Sequence, residues 1–186
     1  TPMAYRTGTV GQLLPGLRAE IMAVPGIDNG GILHVSGPNV MSGYLRVENP
    51  GVVQPPVSAA GAGWYETGDV VHVDADGFLR IVGRVKRFAK VAGEMISLES
   101  VEKLATQASS SAQHAASTQP DEARGENVVL FTTDSTLTRE RLQAAARTGG
   151  WPEIAVPRKI LPVEALPLLG TGKIDYVALK KWAEVA

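Results

Sequence analysis

Glycine and proline are distributed unevenly along this 186-residue chain, and their distribution limits the fold of the first half more than any other feature. Fourteen of the 20 glycines and seven of the 12 prolines precede Arg84. The apolar residues between them form short runs bounded by turns, which is typical of strands. The runs are LRAEIMAV (17–24), GILHVSG (31–37), DVVHVD (69–74) and GFLRIVG (77–83). Their spacing predicts a small antiparallel barrel or sandwich, with a hairpin turn at 74–77 and a surface loop at 47–63.

After Gly83 the apolar periods lengthen. Ser97, followed by Glu99 in the next turn, predicts the start of a helix over 98–107. Further helices are predicted at 138–147 and 176–185, and strands at 127–133, buried on both faces, and 159–163. Alternating strands and helices of this length are typical of a compact α+β domain. The chain is therefore predicted to be α+β overall, with a β-rich, barrel-like part over 1–85 and a small α+β part over 86–186.

The composition excludes several classes of function. Lysine and arginine number 18 against 19 aspartates and glutamates, so a nucleic-acid partner is not expected. The absence of cysteine excludes disulfides, thiol catalysis and thiolate metal sites. The three histidines, His34, His72 and His114, lie in or beside strand runs and are expected to be structural, and no metal site is predicted. No apolar run approaches the roughly 18 residues of a membrane span, so we expect a soluble chain.

Two residues at predicted strand ends are candidates for binding a nucleotide. Asp69 ends the sequence YETGD, which begins at Tyr65, and an ionised carboxylate accepts hydrogen bonds from both hydroxyls of a ribose. Arg84 follows Gly83, and its planar guanidinium could donate hydrogen bonds to a ribose or phosphate oxygen. Taken singly, each has an ordinary alternative: Asp69 as the cap of a turn, and Arg84 as a solvated charge.

A basic segment joins the two predicted parts. Its cationic residues fall within seven positions: Arg84, Lys86, Arg87 and Lys90. As a charge run it is typical of a solvated linker. Its place at the boundary between two differently patterned halves also makes it a candidate hinge, because hinges are a few boundary residues that absorb a backbone rotation.

Lys173 lies in the sequence LPLLGTGKIDYVALKKW (166–182), between a Gly-Thr-Gly turn and the last predicted helix. A lysine at such a position is ordinarily a solvated residue at the start of a helix. The glycines at 170 and 172 would let the backbone present its side chain without strain.

The order of these pieces resembles the second half of the adenylate-forming superfamily of acyl-CoA synthetases, luciferases and peptide-synthetase adenylation domains. The resemblance rests on GILHVSGPNVMSGY (31–44), YETGD (65–69), Gly83-Arg84 with Gly93, and Gly172-Lys173, in that order. It covers nearly the whole chain. It implies that 1–85 is the C-terminal end of the large adenylation domain and that 86–186 is the smaller C-terminal lid domain.

Within that superfamily, the phrase RFAKVAGEMISLE (87–99) is similar to the bacterial bifunctional acyl-[acyl-carrier-protein] synthetase/2-acylglycerophosphoethanolamine acyltransferases. This resemblance implies ATP and Mg²⁺ as cofactors, a fatty acid and a lysophospholipid as substrates, and the phosphopantetheine arm of acyl carrier protein as partner. It also implies a parent protein on the cytoplasmic side of the bacterial inner membrane.

The resemblance assigns a role to individual residues. Asp69, with Tyr65 and Arg84, would bind the nucleotide, and Lys86 would be the hinge of the lid. The passage for the phosphopantetheine thiol would involve Gly93 and Lys90. Lys173 would be catalytic, bridging the acyl carboxylate and the α-phosphate while the acyl-adenylate forms.

Two other functions remain open at this stage. The chain could come from an ordinary acyl-CoA synthetase, because the features that select CoA over a carrier protein are not visible in these residues. It could also be a non-catalytic module that docks an acidic carrier protein through the cluster from Arg84 to Lys90. The superfamily's phosphate loop, its Thr-Glu motif for magnesium and its acyl pocket are not found in the sequence. We therefore expect the chain to be a piece of a longer enzyme and inactive alone.

Overall fold

The computed structural model describes residues 5–27 and 30–186. Within it the chain divides into two compact units, a first unit that ends at Lys86 and a second unit over Arg87–Ala186.

The first unit is built from strands alone in its described part. They are β1 (Arg18–Ala23), β2 (Gly31–Ser36), β3 (Tyr44–Leu45), β4 (Val53–Gln54), β5 (Val57–Ser58), β6 (Gly61–Ala62), β7 (Tyr65–Val73) and β8 (Leu79–Arg84). The four long strands form one antiparallel sheet in the order β1-β2-β7-β8. All four predicted runs are therefore confirmed as strands.

The predicted surface loop at 47–63 is wrong in part. This segment contains β4, β5 and β6, which form parts of two small antiparallel hairpins, β3–β4 and β5–β6. Each of these strands has only two residues, because glycines and prolines interrupt the segment. The main sheet is also open, with β1 and β8 at its edges, and does not close into the predicted barrel. Strands and helices are both present as predicted, so the α+β class is confirmed.

The turn between β7 and β8 shows how the local sequence determines this sheet. Asp74 accepts hydrogen bonds through Oδ1 from the backbone N–H groups of Asp76 and Phe78, each at 3.0 Å. Gly77 follows with φ +81°, a conformation that other L-residues rarely adopt. The predicted hairpin turn is thus confirmed, and a shift of register between Val70 and Val71 then brings Asp69 opposite Arg84 across the two strands.

The second unit contains five strands and three α-helices in its described residues. They are β9 (Phe88–Val91), β10 (Glu94–Ser97), α1 (Leu98–Ala108), β11 (His114–Asp121), β12 (Gly125–Thr132), α2 (Arg139–Gly149), β13 (Lys159–Pro162) and α3 (Tyr176–Val185). The sheet has the order β10-β9-β12-β11, and β13 runs parallel to β12. The three predicted helices and the predicted strands at 127–133 and 159–163 are confirmed within two residues at each end.

Strand β12 lies at the centre of this unit, and its alternating residues serve two separate cores. Val128 and Leu130 pack in a cluster with α1 and α2, which supply Leu104 and Leu142 among others. Val129 and Phe131 pack in a second cluster with α3, centred on Leu179. The strand is apolar on both faces, as predicted, because helices cover both sides of the sheet.

Three strands of the second unit were not predicted. The basic segment after Lys86, interpreted as a linker or hinge, forms the β9–β10 hairpin. The polar segment after the first helix contributes the start of β11, whose His114 to Ser117 are all buried. Small residues such as alanine and serine carry little strand signal, so pairing with β12 decides their conformation.

Candidate functional site

The pairing of β7 and β8 brings Asp69 and Arg84 together in the first unit. The two are register partners, and Arg84 Nε lies 2.6 Å from Asp69 Oδ1. The Asp69 side chain is 17% exposed, whereas that of Arg84 is 61% exposed. Among the described residues no donor forms a directed hydrogen bond to Oδ1, so the pair is held by charge. An ionised carboxylate only accepts hydrogen bonds, so Asp69 can accept a hydroxyl from a ligand that displaces Arg84.

A β-bulge presents this carboxylate. The predicted strand run begins at Asp69, but all five residues of YETGD belong to the first part of β7. The register shifts beside them, and Gly68 has φ +73°. The Thr67 hydroxyl donates to the Leu33 carbonyl at 2.9 Å and accepts from the Asp69 N–H at 3.1 Å. Bulges of this kind re-aim the next side chain, here the Asp69 carboxylate.

An open cavity of about 290 Å³ lies beside the Asp69–Arg84 pair, within the first unit. It is lined by Glu66, Thr67, Gly68, Arg84, Val85 and Lys86. Tyr65 is not among the lining residues, and it pairs instead with Val35 of β2. Sequence reasoning missed Glu66 and Thr67, although both stand inside the motif it selected.

In the second unit Lys173 directly follows the Gly-Thr-Gly tip of a short hairpin and closes it opposite Leu169. The Leu169 N–H donates to the Lys173 carbonyl at 2.7 Å, and the Gly172 N–H donates to the Leu169 carbonyl at 2.8 Å. Gly172 has φ +78°, so this position requires the predicted glycine, whereas Gly170 has no positive φ. The Lys173 side chain is exposed, and none of the ion pairs among the described residues includes it.

The base of the Lys173 hairpin is anchored in the core. Leu166, before the hairpin, is buried, and Ile174, after it, packs against the cluster around Leu179. Leu168 and Ile174 form a β-bridge between the two arms. The backbone of the tip is thus braced, while the ammonium on its long stem stays free to move.

Gly93 and Lys90 lie on the β9–β10 hairpin. The two-residue loop Ala92-Gly93 has φ values of +51° and +91°, the geometry of a hairpin turn that demands positive φ at both positions. A Cβ built on Gly93 would meet no atom within 4 Å. The turn therefore explains the glycine without any close approach. Lys90 is exposed, and its backbone N–H donates to Glu126 Oε2 at 2.7 Å.

Arg87 differs from the other cationic residues of the basic segment, Arg84, Lys86 and Lys90, which are exposed. Its side chain is 14% exposed, and Nη2 lies 2.6 Å from Glu102 Oε1. Its guanidinium carbon lies 3.6 Å from the centroid of the Tyr176 ring. Burial, followed by the nearby charge of Glu102, raises the pKa of the Tyr176 hydroxyl. Tyr176 and Glu102 were missed because no local pattern links positions so far apart in the sequence.

The remaining groups are structural in character. His34 is buried, with Nδ1 2.9 Å from Ser58 Oγ, and His114 Nε2 lies 2.8 Å from the Ser109 carbonyl. Within residues 5–27 and 30–186, no three His, Asp or Glu side chains group closely enough to hold a metal ion. None of the helices in the same ranges has both the length and the apolarity needed to cross a membrane.

Comparison with known proteins finds sequence similarity to CoA ligases and to a peptide synthetase. The chain is 32% identical over 186 residues to 4-coumarate–CoA ligase-like 6 of Arabidopsis thaliana, covering 95% of this chain and 32% of that protein. It is 33% identical over 181 residues to a long-chain-fatty-acid–CoA ligase of Salmonella typhimurium, covering 91% of this chain and 30% of that protein. A probable non-canonical nonribosomal peptide synthetase of Salinispora arenicola is 31% identical over 193 residues, which cover 96% of this chain and 2% of that protein. No family model matches the chain.

Solved structures share the fold. The o-succinylbenzoate CoA synthetase of Bacillus subtilis, in complex with its acyl-adenylate intermediate, superimposes with a TM-score of 0.74 at 22% identity. The match covers 93% of this chain and 35% of that one. The chain thus spans about a third of the length of the two CoA ligases and of this structural relative.

Proposed function

We propose that the chain forms the C-terminal part of an ATP-dependent ligase of the adenylate-forming acyl-CoA ligase superfamily, to whose members it is similar over most of its length. That enzyme activates a carboxylic acid as an acyl-adenylate and then passes the acyl group to a thiol. Residues up to Lys86 complete the large domain, and Arg87–Ala186 is the lid. Because the relatives are about three times as long, we expect this chain to show no acid-dependent ATP turnover by itself.

The observation that carries this proposal is the exposed Lys173 ammonium on a braced hairpin tip. Attack of a carboxylate on the α-phosphate brings negative charges together, and more charge develops in the transition state. A lysine held where that charge develops lowers the barrier, because it binds the transition state more strongly than the ground state. The bridge at Leu168 and Ile174 supports the backbone, so little order has to be created when the ammonium engages.

The Asp69–Arg84 pair supports a nucleotide site in the first unit. Asp69 Oδ1 is buried without a directed donor among the described residues, so it can accept a ribose hydroxyl. Arg84, more than half exposed, is free to swing towards a phosphate or ribose oxygen in the adjoining cavity. Tyr65 holds the start of β7 against β2 and would act on the nucleotide only from the border of this site. The described residues offer no carboxylate cluster for Mg²⁺, whose ligands would come from elsewhere in the enzyme.

Lys86 is proposed as the hinge. It is the last residue of the first unit and lies in a short 3₁₀ turn, Val85–Arg87, between β8 and β9. Residues on either side belong to different compact units, so a rotation at Lys86 need not disturb either core. This location supports the hinge.

For the acceptor we propose the phosphopantetheine thiol of an acyl carrier protein, with CoA as the alternative. The first is favoured by the resemblance of 87–99 and by the relationship to a peptide synthetase; the named CoA ligases favour the second. Gly93 and Lys90 would border the thiol passage, and Lys90 is exposed to meet an acidic partner. Lys90→Glu should raise the KM for carrier protein and leave the KM for CoA unchanged. Equal effects on both acceptors would contradict the carrier assignment.

The narrowest part of the proposal comes from sequence resemblance. It is that the acid is a fatty acid and that the full-length protein also reacylates 2-acylglycerophosphoethanolamine, a lysophospholipid, at the bacterial inner membrane. The test is transfer of a labelled fatty acid to lysophosphatidylethanolamine by the full-length protein. Failure of that transfer, with acyl-adenylate formation intact, would leave a plain acid–thiol ligase.

The decisive experiment is fatty-acid-dependent ATP/pyrophosphate exchange by the full-length protein with Lys173→Ala. Removing one preorganised charge donor should lower the exchange rate on the order of 10² to 10³-fold. Lys181→Ala is the matched control, because Lys181 is exposed on α3 only eight residues away. Unchanged exchange in Lys173→Ala would return the lysine to a solvated role. The chain would then be a non-catalytic module that docks a carrier protein.

A further inference from the structure

Arg87, the first residue of the second unit, is held on three sides. Nη2 donates to Glu102 Oε1 at 2.6 Å, and Nη1 donates to the Ala116 carbonyl at 3.2 Å. The face of its guanidinium stacks on the Tyr176 ring at 3.6 Å. A planar guanidinium is the only cationic side chain that can make all three contacts at once.

Glu102 connects the contacts of Arg87 into one network. Its Oε1 also accepts the backbone N–H of Ala116 at 2.8 Å, in strand β11. Its Oε2 accepts the Tyr176 hydroxyl at 3.4 Å. One carboxylate on α1 thereby links the entry point of the second unit, the central sheet and the start of α3. We call Arg87, Glu102 and Tyr176 the entry clamp.

The entry clamp lies between the two features that matter for the proposed motion. Lys86, the proposed hinge, immediately precedes Arg87 in the chain. Tyr176 is the first residue of α3, and the helix is capped by Asp175, whose N–H donates to the Pro167 carbonyl at the base of the Lys173 hairpin. The clamp therefore ties the residue after the hinge to the segment that carries Lys173.

We propose that Tyr176 and Arg87 are positioning residues that set where Lys173 lies relative to the hinge. With the clamp formed, a rotation at Lys86 carries the Lys173 hairpin as part of one rigid body. Without the entry clamp, the start of α3 can shift relative to Arg87. The Lys173 ammonium is then displaced from the carboxylate and α-phosphate oxygens that react. This inference rests on the proposed adenylation role of Lys173, because only that role makes the position of the hairpin matter for the rate.

The geometry suggests a matched set of variants at Tyr176. Tyr176→Phe keeps the ring under the Arg87 guanidinium and removes only the long hydroxyl contact. Tyr176→Leu keeps an apolar side chain and removes the stacking face. Val177→Ala changes the next residue of α3, which is 70% exposed and outside the clamp, and serves as the control.

In the full-length protein, Tyr176→Leu should lower the kcat of ATP/pyrophosphate exchange about 10- to 100-fold, the range expected from a displacement of about 1 Å at a reacting group. The KM for ATP and the rate of thiol transfer from preformed acyl-adenylate should be unchanged, because neither step uses Lys173. Tyr176→Phe should retain most of the exchange. Equal losses in both half-reactions, or none, would overturn the positioning role.

A second measurement does not depend on any enzymatic activity. In an NMR spectrum of this 19.6-kDa chain, the Arg87 Nε–H signal should be shifted upfield by the ring current of Tyr176. It should stay shifted in Tyr176→Phe and return to the ordinary position in Tyr176→Leu. An unshifted signal in the unsubstituted chain would overturn the clamp itself. A shifted signal without any exchange in the full-length protein would overturn the proposed function and leave the clamp as a purely structural contact.

Discussion

Replacing Glu102 with alanine should be among the most damaging single changes in the second unit. The Glu102 side chain is 16% exposed and lies 2.6 Å from a guanidinium that is itself 14% exposed. The substitution leaves the Arg87 charge inside the protein without its counter-ion. It also removes the acceptor of the Ala116 N–H, which belongs to a fully buried residue of β11.

The magnitude follows from these two losses. Removing one partner of a buried ion pair costs about 3–5 kcal/mol, and the residual exposure of both side chains places this pair near the lower value. An unsatisfied buried N–H costs a further 1 kcal/mol or so. Water can reach the groups left behind through the exposed edge of the pair, which reduces the sum of the two losses, so we expect a destabilisation of about 3 kcal/mol. Glu102→Gln keeps an acceptor of the same shape and should cost about half as much.

The assay is urea unfolding of the 186-residue chain, followed by circular dichroism at 222 nm. The α-helices of the described residues all belong to the second unit, so this signal reports on the unit that contains Glu102. In thermal unfolding of a unit of about 100 residues, followed by the same signal, a loss of 3 kcal/mol corresponds to a fall in Tm of about 15 °C. If Glu102→Ala unfolds within 1 kcal/mol of the unsubstituted chain, the carboxylate is not the centre of a buried network, and the entry clamp fails with it.

Three further predictions concern separate parts of the second unit. Leu179→Ala opens a cavity in the α3 core, where Leu179 is fully buried, and should lower the free energy of unfolding by about 2–5 kcal/mol in the same assay; a loss below 1 kcal/mol would mean that α3 is not packed on the sheet. Gly93→Ala strains the β9–β10 turn at φ +91° and should cost about 1 kcal/mol, and because Gly93 is proposed to border the thiol passage, the variant should also slow thiol transfer; unchanged transfer in a stable variant would mean that the glycine serves the turn alone. Hydrogen bonds from the hydroxyls of Thr136 and Ser109 and from the Thr136 N–H lower the pKa of Asp134 well below its ordinary value of 3.8. The Asp134 carboxylate therefore stabilises the fold above about pH 4, and this contribution is lost as the pH falls towards the lowered pKa. Asp134→Asn should have a lower free energy of unfolding than the unsubstituted chain at pH 7. An equally large difference between the two proteins at pH 2 would contradict this.

The elements that could be predicted from the sequence are those whose signals are local. Ser97 caps α1 and Thr138 caps α2, each accepting a backbone N–H of the first turn. Asp74 and Gly77 define the turn between β7 and β8 within four residues. In each case the residues that stabilise the element are only a few positions apart, so their order along the chain carries the information.

The elements that could not be predicted depend on partners that are distant in the sequence. Strand β11 is made of small and polar residues, and it becomes a strand because β12 pairs with it along its whole length. The basic segment after Lys86 was interpreted as a solvated linker because the sequence shows its charges but not the residues that contact them in the fold. In the structure this segment is ordered by the pairing of β9 with β10 and by the contacts of Arg87 with α1 and α3.

The sequence by itself determined the α+β class, most strands and helices, and the superfamily resemblance that the comparisons support. It also identified Asp69, Arg84, Lys86, Lys90, Gly93, Tyr65 and Lys173 as candidate site residues, and their roles stay predictions. Only the tertiary structure showed that Asp69 and Arg84 are paired, that Lys173 stands free on a braced tip, and that Arg87 is held by Glu102 and Tyr176. The physical reason is that the sequence gives the identity of a charged residue but not whether its side chain is solvated or buried. The function of that side chain depends on which groups the fold brings into contact with it.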